Sequence, residues 1–244
     1  MKGNHLIRTF ISLALAAVVT QTSHAAVRPM LTRIVAYAAD KETAVDIIND
    51  APQAYMVQSW LEDLNGNDDN LPLILTPPVM KLEGKKQGKL RLVVIPAHIP
   101  QDRESVYWLA VQEIPPKASG DGGNKLVMAI RSRIKVFVRP TGLKSEEARD
   151  AVKQLQWQVE KSGGKTWLTA SNPTPYYISF GKLAIKQAGK AEVMLNDKFH
   201  MPPPKGSQRY EIPTTMMGEA ATLTYSAVND YGGTGEEQTA RVSL

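Results

Sequence analysis

The chain has 244 residues, 29 Lys and Arg against 24 Asp and Glu, and no Cys. A formal charge of +5 is too weak to argue for nucleic acid, and a Cys-free chain of this kind cannot be a disulfide scaffold, so it must bury a real core. Two of the four His, His5 and His24, lie in an N-terminal leader, and the remaining His98 and His200 argue against a His-rich metal site.

Met1 to Ala25 reads as a secretory signal peptide. Lys2 and Arg8 supply the positive start, Phe10 to Val19 the apolar run, and Ser23-His24-Ala25 the small residues at both cleavage positions. The apolar run is too short to span a bilayer comfortably. Cleavage there would leave a mature chain from Ala26 of about 219 residues and net charge +3, enough for two ordinary domains.

From Thr32 onward, short alternating runs separated by turn residues predict strands. They fall at Thr32–Tyr37, Glu42–Ile48 and Tyr55–Leu61, then, after the polar loop Leu64–Asn70, at Leu71–Leu75, Val79–Leu82 and Lys89–Val94. Thr76-Pro77-Pro78 breaks the pattern. Ile99 to Pro116 is the most informative segment: Asp102, Arg103 and Glu104 lead into an interior strand that a double proline ends. In a pleated strand Val106, Trp108 and Ala110 share one face and Tyr107, Leu109 and Val111 the other. A flexible turn over 117–123 then precedes a long predicted strand from Lys125 to Val138, and Arg139-Pro140-Thr141-Gly142 reads as a linker.

Beyond the linker lies one helix signal, with Ser145 as the expected N-cap, Glu146 and Glu147 in the first turn and good helix formers from Ala148 to Leu155. Strands are expected again at Trp157–Val159, Thr166–Ala170, Tyr176–Leu183, Ala191–Leu195, Ser207–Ile212 and Ala221–Val228. The fold class is all-β, two β-sandwiches in tandem, with the chain divided as 1–25, 26–140 and 141–244.

Nothing points to catalysis. Gly163-Gly164-Lys165-Thr166 lacks the first glycine of a phosphate loop and reads as a hairpin turn. No G-x-S-x-G elbow occurs, a Cys nucleophile is excluded, and Asp102 and Glu104 beside Arg103 read as an ion-pair corner. No cofactor is called for.

Eight short motifs in order, however, resemble those of the periplasmic chaperones of the chaperone–usher pilus pathway. They are Thr32-Arg33-Ile34-Val35, Tyr55–Trp60, Thr76-Pro77-Pro78, Leu90-Arg91-Leu92, Pro100–Ser105, Arg133–Pro140, Asn172–Tyr177 and Asn229-Asp230-Tyr231-Gly232. Ala110 is one departure, since the family usually has Asn there. The resemblance implies two tandem immunoglobulin-like β-sandwich domains with a cleft between them, in a chaperone that needs no ATP, works in the periplasm and binds pilus (fimbrial) subunits before delivery to an outer-membrane usher. It implies that Arg33 and Lys135 grip the C-terminal carboxylate of a subunit. Leu126, Met128 and Ile130 would enter the groove of a subunit that lacks its last strand. It also implies that Glu104, Arg139 and Asp230 join the two domains by ion pairs. In a regular strand Lys135 has the opposite parity to the apolar trio, so both devices on one side would need a bulge. The long strand could also let the free chain cap itself as a dimer. The alternative is a structural pilus subunit or adhesin, against which Ala26–Leu31 is short and contains Pro29.

Overall fold

In the computed structural model, which describes residues 25–116, 128–195, 200–216, 218 and 220–244, strands form four sheets, two on either side of residue 140. The first half holds β1 (Val27–Pro29), β2 (Arg33–Tyr37), β3 (Thr43–Asn49), β4 (Tyr55–Glu62), β5 (Leu73–Thr76), β6 (Val79–Leu82), β7 (Gln87–Val94), β8 (Ser105–Ile114) and β9 (Arg131–Arg139). One sheet runs β1-β3-β7-β5 and the other β2-β9-β8-β4-β6. Their inner faces interdigitate around Ile47, Val57, Leu90, Leu109, Val111 and Val136, as two apolar sheet faces must.

After helix α1 (Ser145–Asp150) come β10 (Gln156–Ser162), β11 (Lys165–Asn172), β12 (Phe180–Lys186), β13 (Val193–Met194), β14 (Gly206–Ile212), β15 (Ala220–Ala227) and β16 (Gln238–Ser243). The sheets are β10-β11-β14 and β13-β12-β15-β16, closed over Leu168, Tyr176, Leu183, Ile185 and Leu223. Gly163 and Gly164 sit between β10 and β11 with φ of +62° and +74°, the two-residue hairpin geometry that requires glycine-like freedom at both positions. The tandem all-β sandwich expected from sequence is therefore what forms.

Four expectations need correction. The strand expected over Tyr176–Leu183 starts only at Phe180, and Tyr176 to Ser179 lie outside any strand. Among the described residues the long strand predicted from Lys125 covers Arg131 to Arg139, and Met128 to Ile130 lie outside any strand; 117–127 are outside the described residues. Pairing thins there: Arg131 faces Gln112, a single further bond from Glu113 N–H reaches the Ile130 carbonyl, and the double proline after Ile114 removes the donors that would follow, while β2 pairs only with Lys135 to Arg139. Ser145 is not the helix cap. Lys144 holds that position without a side-chain bond, and the Ser145 hydroxyl is used elsewhere. The helix is also shorter than Ala148–Leu155 suggested, passing at Ala151 into a tighter 3₁₀ turn. Strands β1 and β16 are not expected from the sequence: β1 is three residues long, and β16 alternates around only two small apolar residues, Ala240 and Val242.

Candidate functional site: the cleft between the two sandwiches

Odd-numbered residues of β9 point away from the first core, because Ile134, Val136 and Val138 fill it. Arg131, Arg133, Lys135, Phe137 and Arg139 thus lie along one outer face, and burial along it rises from exposed Arg131 to buried Arg139. The second sandwich covers that end. Val106, Phe137 and Met201 form a small apolar cluster across the seam, with Val35 and Tyr177 packed against it.

At the buried end, Arg139 is the hub. Its Nε donates to Glu104 Oε1 at 2.6 Å, and Nη1 and Nη2 donate to Asp230 Oδ2 and Oδ1 at 2.6 and 2.7 Å. The Arg139 and Glu104 side chains are 3% and 2% exposed. Glu104 also accepts from the Tyr177 backbone N–H at 2.8 Å, which ties the corner before β8 to the second sandwich. Ser145 Oγ donates to Asp230 at 2.7 Å and lies 2.5 Å from the Tyr37 hydroxyl. Glu104, Arg139 and Asp230 are therefore brought together across the domain seam. Tyr37 and Ser145 complete the network and had no sequence signal beyond an aromatic in a strand and a cap-type serine.

Burial pushes the Glu104 carboxyl up, against the opposing pull of Arg139. Burial also disfavours the Asp230 charge, but Arg139 and Ser145 outweigh it and hold that carboxyl below its ordinary range. A depressed folded-state pKa gives stability that is present above the unfolded value, about pH 4, and lost as pH falls through the folded one. Asp230→Asn should therefore flatten the acid limb of a stability–pH curve below about pH 4. An unchanged acid limb in urea titrations would count against this assignment.

A second bridge lies nearby, where Asp102 accepts from Arg103 at 2.9 Å and from Lys205 of the second sandwich at 2.6 Å. This part of the acidic corner is exposed, so its contribution to stability is small. Gly232 (φ +87°) faces Thr32 so closely that a Cβ would overlap the threonine hydroxyl. Gly232→Ala combines that overlap with an unfavourable backbone angle, and a loss of about 1–3 kcal/mol is expected in thermal unfolding. No measurable change would contradict the tight seam.

Arg33 and Lys135 are register partners on the parallel pair β2 and β9, so their backbones sit about 4.8 Å apart. Their side chains end in different surroundings. Arg33 lies 5.8 Å from the Phe137 ring, donates weakly from Nη1 to Val228 O at 3.4 Å, and has a buried Nε with no hydrogen-bond partner among the described residues. Burial lowers its pKa and Asp230 opposes the shift, but a guanidinium stays charged. Lys135 is 9% exposed; its ammonium donates to Met201 Sδ at 3.1 Å and stands 5.8 Å from the Trp108 ring. Between the sandwiches lies a cleft of roughly 430 Å³, lined by Arg33, Phe137, Arg149, Tyr177, Val228 and Tyr231 among others. Lys135 borders the seam without lining that cleft.

Farther along β9, Glu62 accepts from Trp60 Nε1 at 2.7 Å and pairs with Arg133 at 2.5 Å, while Arg133 stacks 4.8 Å from Trp108. Of the apolar trio, Met128 is 57% exposed, Ile130 is half-buried with its carbonyl accepting from Glu113 N–H at 3.1 Å, and Leu126 lies outside the described residues.

This cleft geometry has known counterparts. The family described as pili and flagellar-assembly chaperone, PapD N-terminal domain, matches residues 26–144. The pili assembly chaperone PapD C-terminal domain matches residues 150–239. The chain belongs to the pilus-assembly chaperones. The chaperone is 34% identical over 234 residues to chaperone protein LpfB of Salmonella typhimurium, covering 95% of this chain and 96% of the relative. It is 33% identical over 225 residues to chaperone protein FimC of Escherichia coli O6:H1, covering 91% and 87%. Among solved structures it is similar to the YadV chaperone, with a TM-score of 0.75 and 31% identity over 89% of this chain and 100% of that one. It is also similar to the Pseudomonas aeruginosa CupB2 chaperone, at a TM-score of 0.69 and 30% identity over 89% and 100%. The alternative of a structural subunit is not favoured, and β1 of the chaperone is already paired with its own β3.

Proposed function

We propose that residues 1–25 are removed on export, leaving domains over 26–140 and 141–244, and that the chaperone acts in the periplasm. There it holds pilus subunits in soluble one-to-one complexes and hands them to an outer-membrane usher. The mechanism is stoichiometric binding with no bond made or broken and no ATP. A subunit's C-terminal carboxylate enters the seam and takes charge-assisted hydrogen bonds from Arg33 and Lys135, which fixes the register of the adjoining subunit strand. Leu126, Met128 and Ile130 then extend β9 into the subunit's open groove; strand addition is a general recognition mode that includes donor-strand complementation of pilins. Each apolar side chain buried there contributes about 1.5–3 kcal/mol, an upper bound given residual burial in the free state. Covering a subunit's unpaired edge also prevents its aggregation.

The observation that carries this reading is the buried Arg33 Nε, a cationic donor without a partner among the described residues, beside its register mate Lys135 at the domain seam. A buried donor left unmade costs free energy, so an anionic acceptor there is favoured. Co-expression with a subunit from the same operon tests it. A soluble one-to-one complex in periplasmic extract is expected; a subunit that aggregates equally with and without the chaperone would refute the proposal.

A further inference from the structure

Glu113, the last residue but one of β8, lies on the core side and is only 3% exposed. Its Oε2 accepts from the backbone N–H of Val27 at 2.8 Å, the first residue of β1. A buried carboxylate held by a backbone donor keeps most of its desolvation cost unless a cation is close. The cleavage positions Ser23 and Ala25 would place a new α-amino group on Ala26. Standard backbone dimensions put successive nitrogens about 3–4 Å apart, so that group lies within roughly 6.5 Å of Glu113.

Ala26 is also fixed in place. Its carbonyl accepts from Asp50 N–H at 2.7 Å, and Val27 is 1% exposed and paired with Asn49. We propose that Glu113 is a binding seat for the chain's own mature N-terminus, so that removal of the leader creates an ammonium that completes the first sandwich. This rests on the proposed cleavage after Ala25. The precursor, whose residue 26 carries an uncharged amide, lacks the ion pair, so export and final stabilisation are coupled.

Other charged groups face this corner. Asp50 is paired with Arg28 at 2.9 Å, and the Lys85 ammonium donates to the Asp50 carbonyl. Backbone carbonyls of Glu83 and Lys86 bond to Asn49. From β4, the residue opposite Glu113 is the apolar Val57. Asp50 is the rival acceptor for the ammonium, and an Asp50→Asn variant separates the two.

An amine that gains a carboxylate partner on folding has its pKa raised. Its stabilisation is then complete below the unfolded value, about 8, and lost as pH rises through the folded one. The test uses the full mature chain beginning at Ala26 and the same chain with a Gly-Ser extension. Isotope-labelled N-terminal methylation followed by NMR gives the α-amino pKa, and thermal unfolding is followed from pH 6 to 10. In the Ala26 chain the amine should titrate about one unit, tenfold in protonation equilibrium, above its ordinary value. Melting temperature should fall between about pH 8 and 10 in that chain only. Glu113→Gln should abolish both effects and Asp50→Asn should preserve them. An ordinary amine pKa, or identical alkaline limbs in the two chains, would overturn the proposal even if Glu113→Gln failed to fold. N-terminal sequencing of the exported protein tests the cleavage separately. A first residue other than Ala26 would remove the seat's physiological role and leave the subunit-binding proposal intact.

Discussion

Replacing Arg139 by Ala is expected to cost about 3–5 kcal/mol, because it leaves the Glu104 carboxylate buried without its cation. Chemical denaturation should show the loss chiefly in the transition that separates the two sandwiches, since every strong partner of Arg139 bridges toward the seam. The contrasting variant changes Arg139 and both of its carboxylate partners, Arg139→Met with Glu104→Met and Asp230→Asn. Replacing a buried ion pair by apolar groups of similar volume is often neutral in stability. The triple variant should therefore unfold near the wild-type midpoint but lose the fixed angle between the sandwiches, as read by small-angle scattering. A single variant that costs under about 1 kcal/mol would show that the network is not the structural hub.

The second large effect concerns the cations. Lys135→Met keeps the side chain's bulk against Met201 and Trp108 but removes its charge. Affinity for a subunit should fall by roughly 30-fold to several thousand-fold, the equivalent of about 2–5 kcal/mol for one partner of a desolvated charged pair. Arg33→Met should act similarly. The free protein should keep its melting temperature or gain slightly, because a buried ammonium is costly to fold around. Unchanged affinity measured by titration calorimetry would remove Lys135 from the site.

Much of this was legible in the sequence. The Asp102-Arg103-Glu104 corner, the double proline after Ile114 and the Gly163-Gly164 hairpin all carry strong local signals, and the structure uses each as a terminator or turn. Pairing of Arg139 with Glu104 and Asp230 came only from resemblance to a family, since residues 35 and 91 positions apart leave no periodic trace. Ser145 looked like a helix cap because local chemistry is identical for a cap and for a long-range donor; only the fold decides between them. The length of β9 was overestimated because its apolar alternation continues past the point where β8, ended by two prolines, sustains a ladder. Glu113 carries no local signal that marks it out in the sequence. Its burial against Val27 depends on β1, a strand too short to announce itself.

Recognition of a foreign chain end by Arg33 and Lys135 is the claim on which the proposed function turns. The most direct measurement is the affinity of the chaperone for a synthetic peptide with a subunit's C-terminal sequence, made once with a free carboxylate and once as the amide. The acid should bind at least about tenfold more tightly at low salt, and the difference should vanish in the Lys135→Met variant. Equal affinity for acid and amide would contradict the claim.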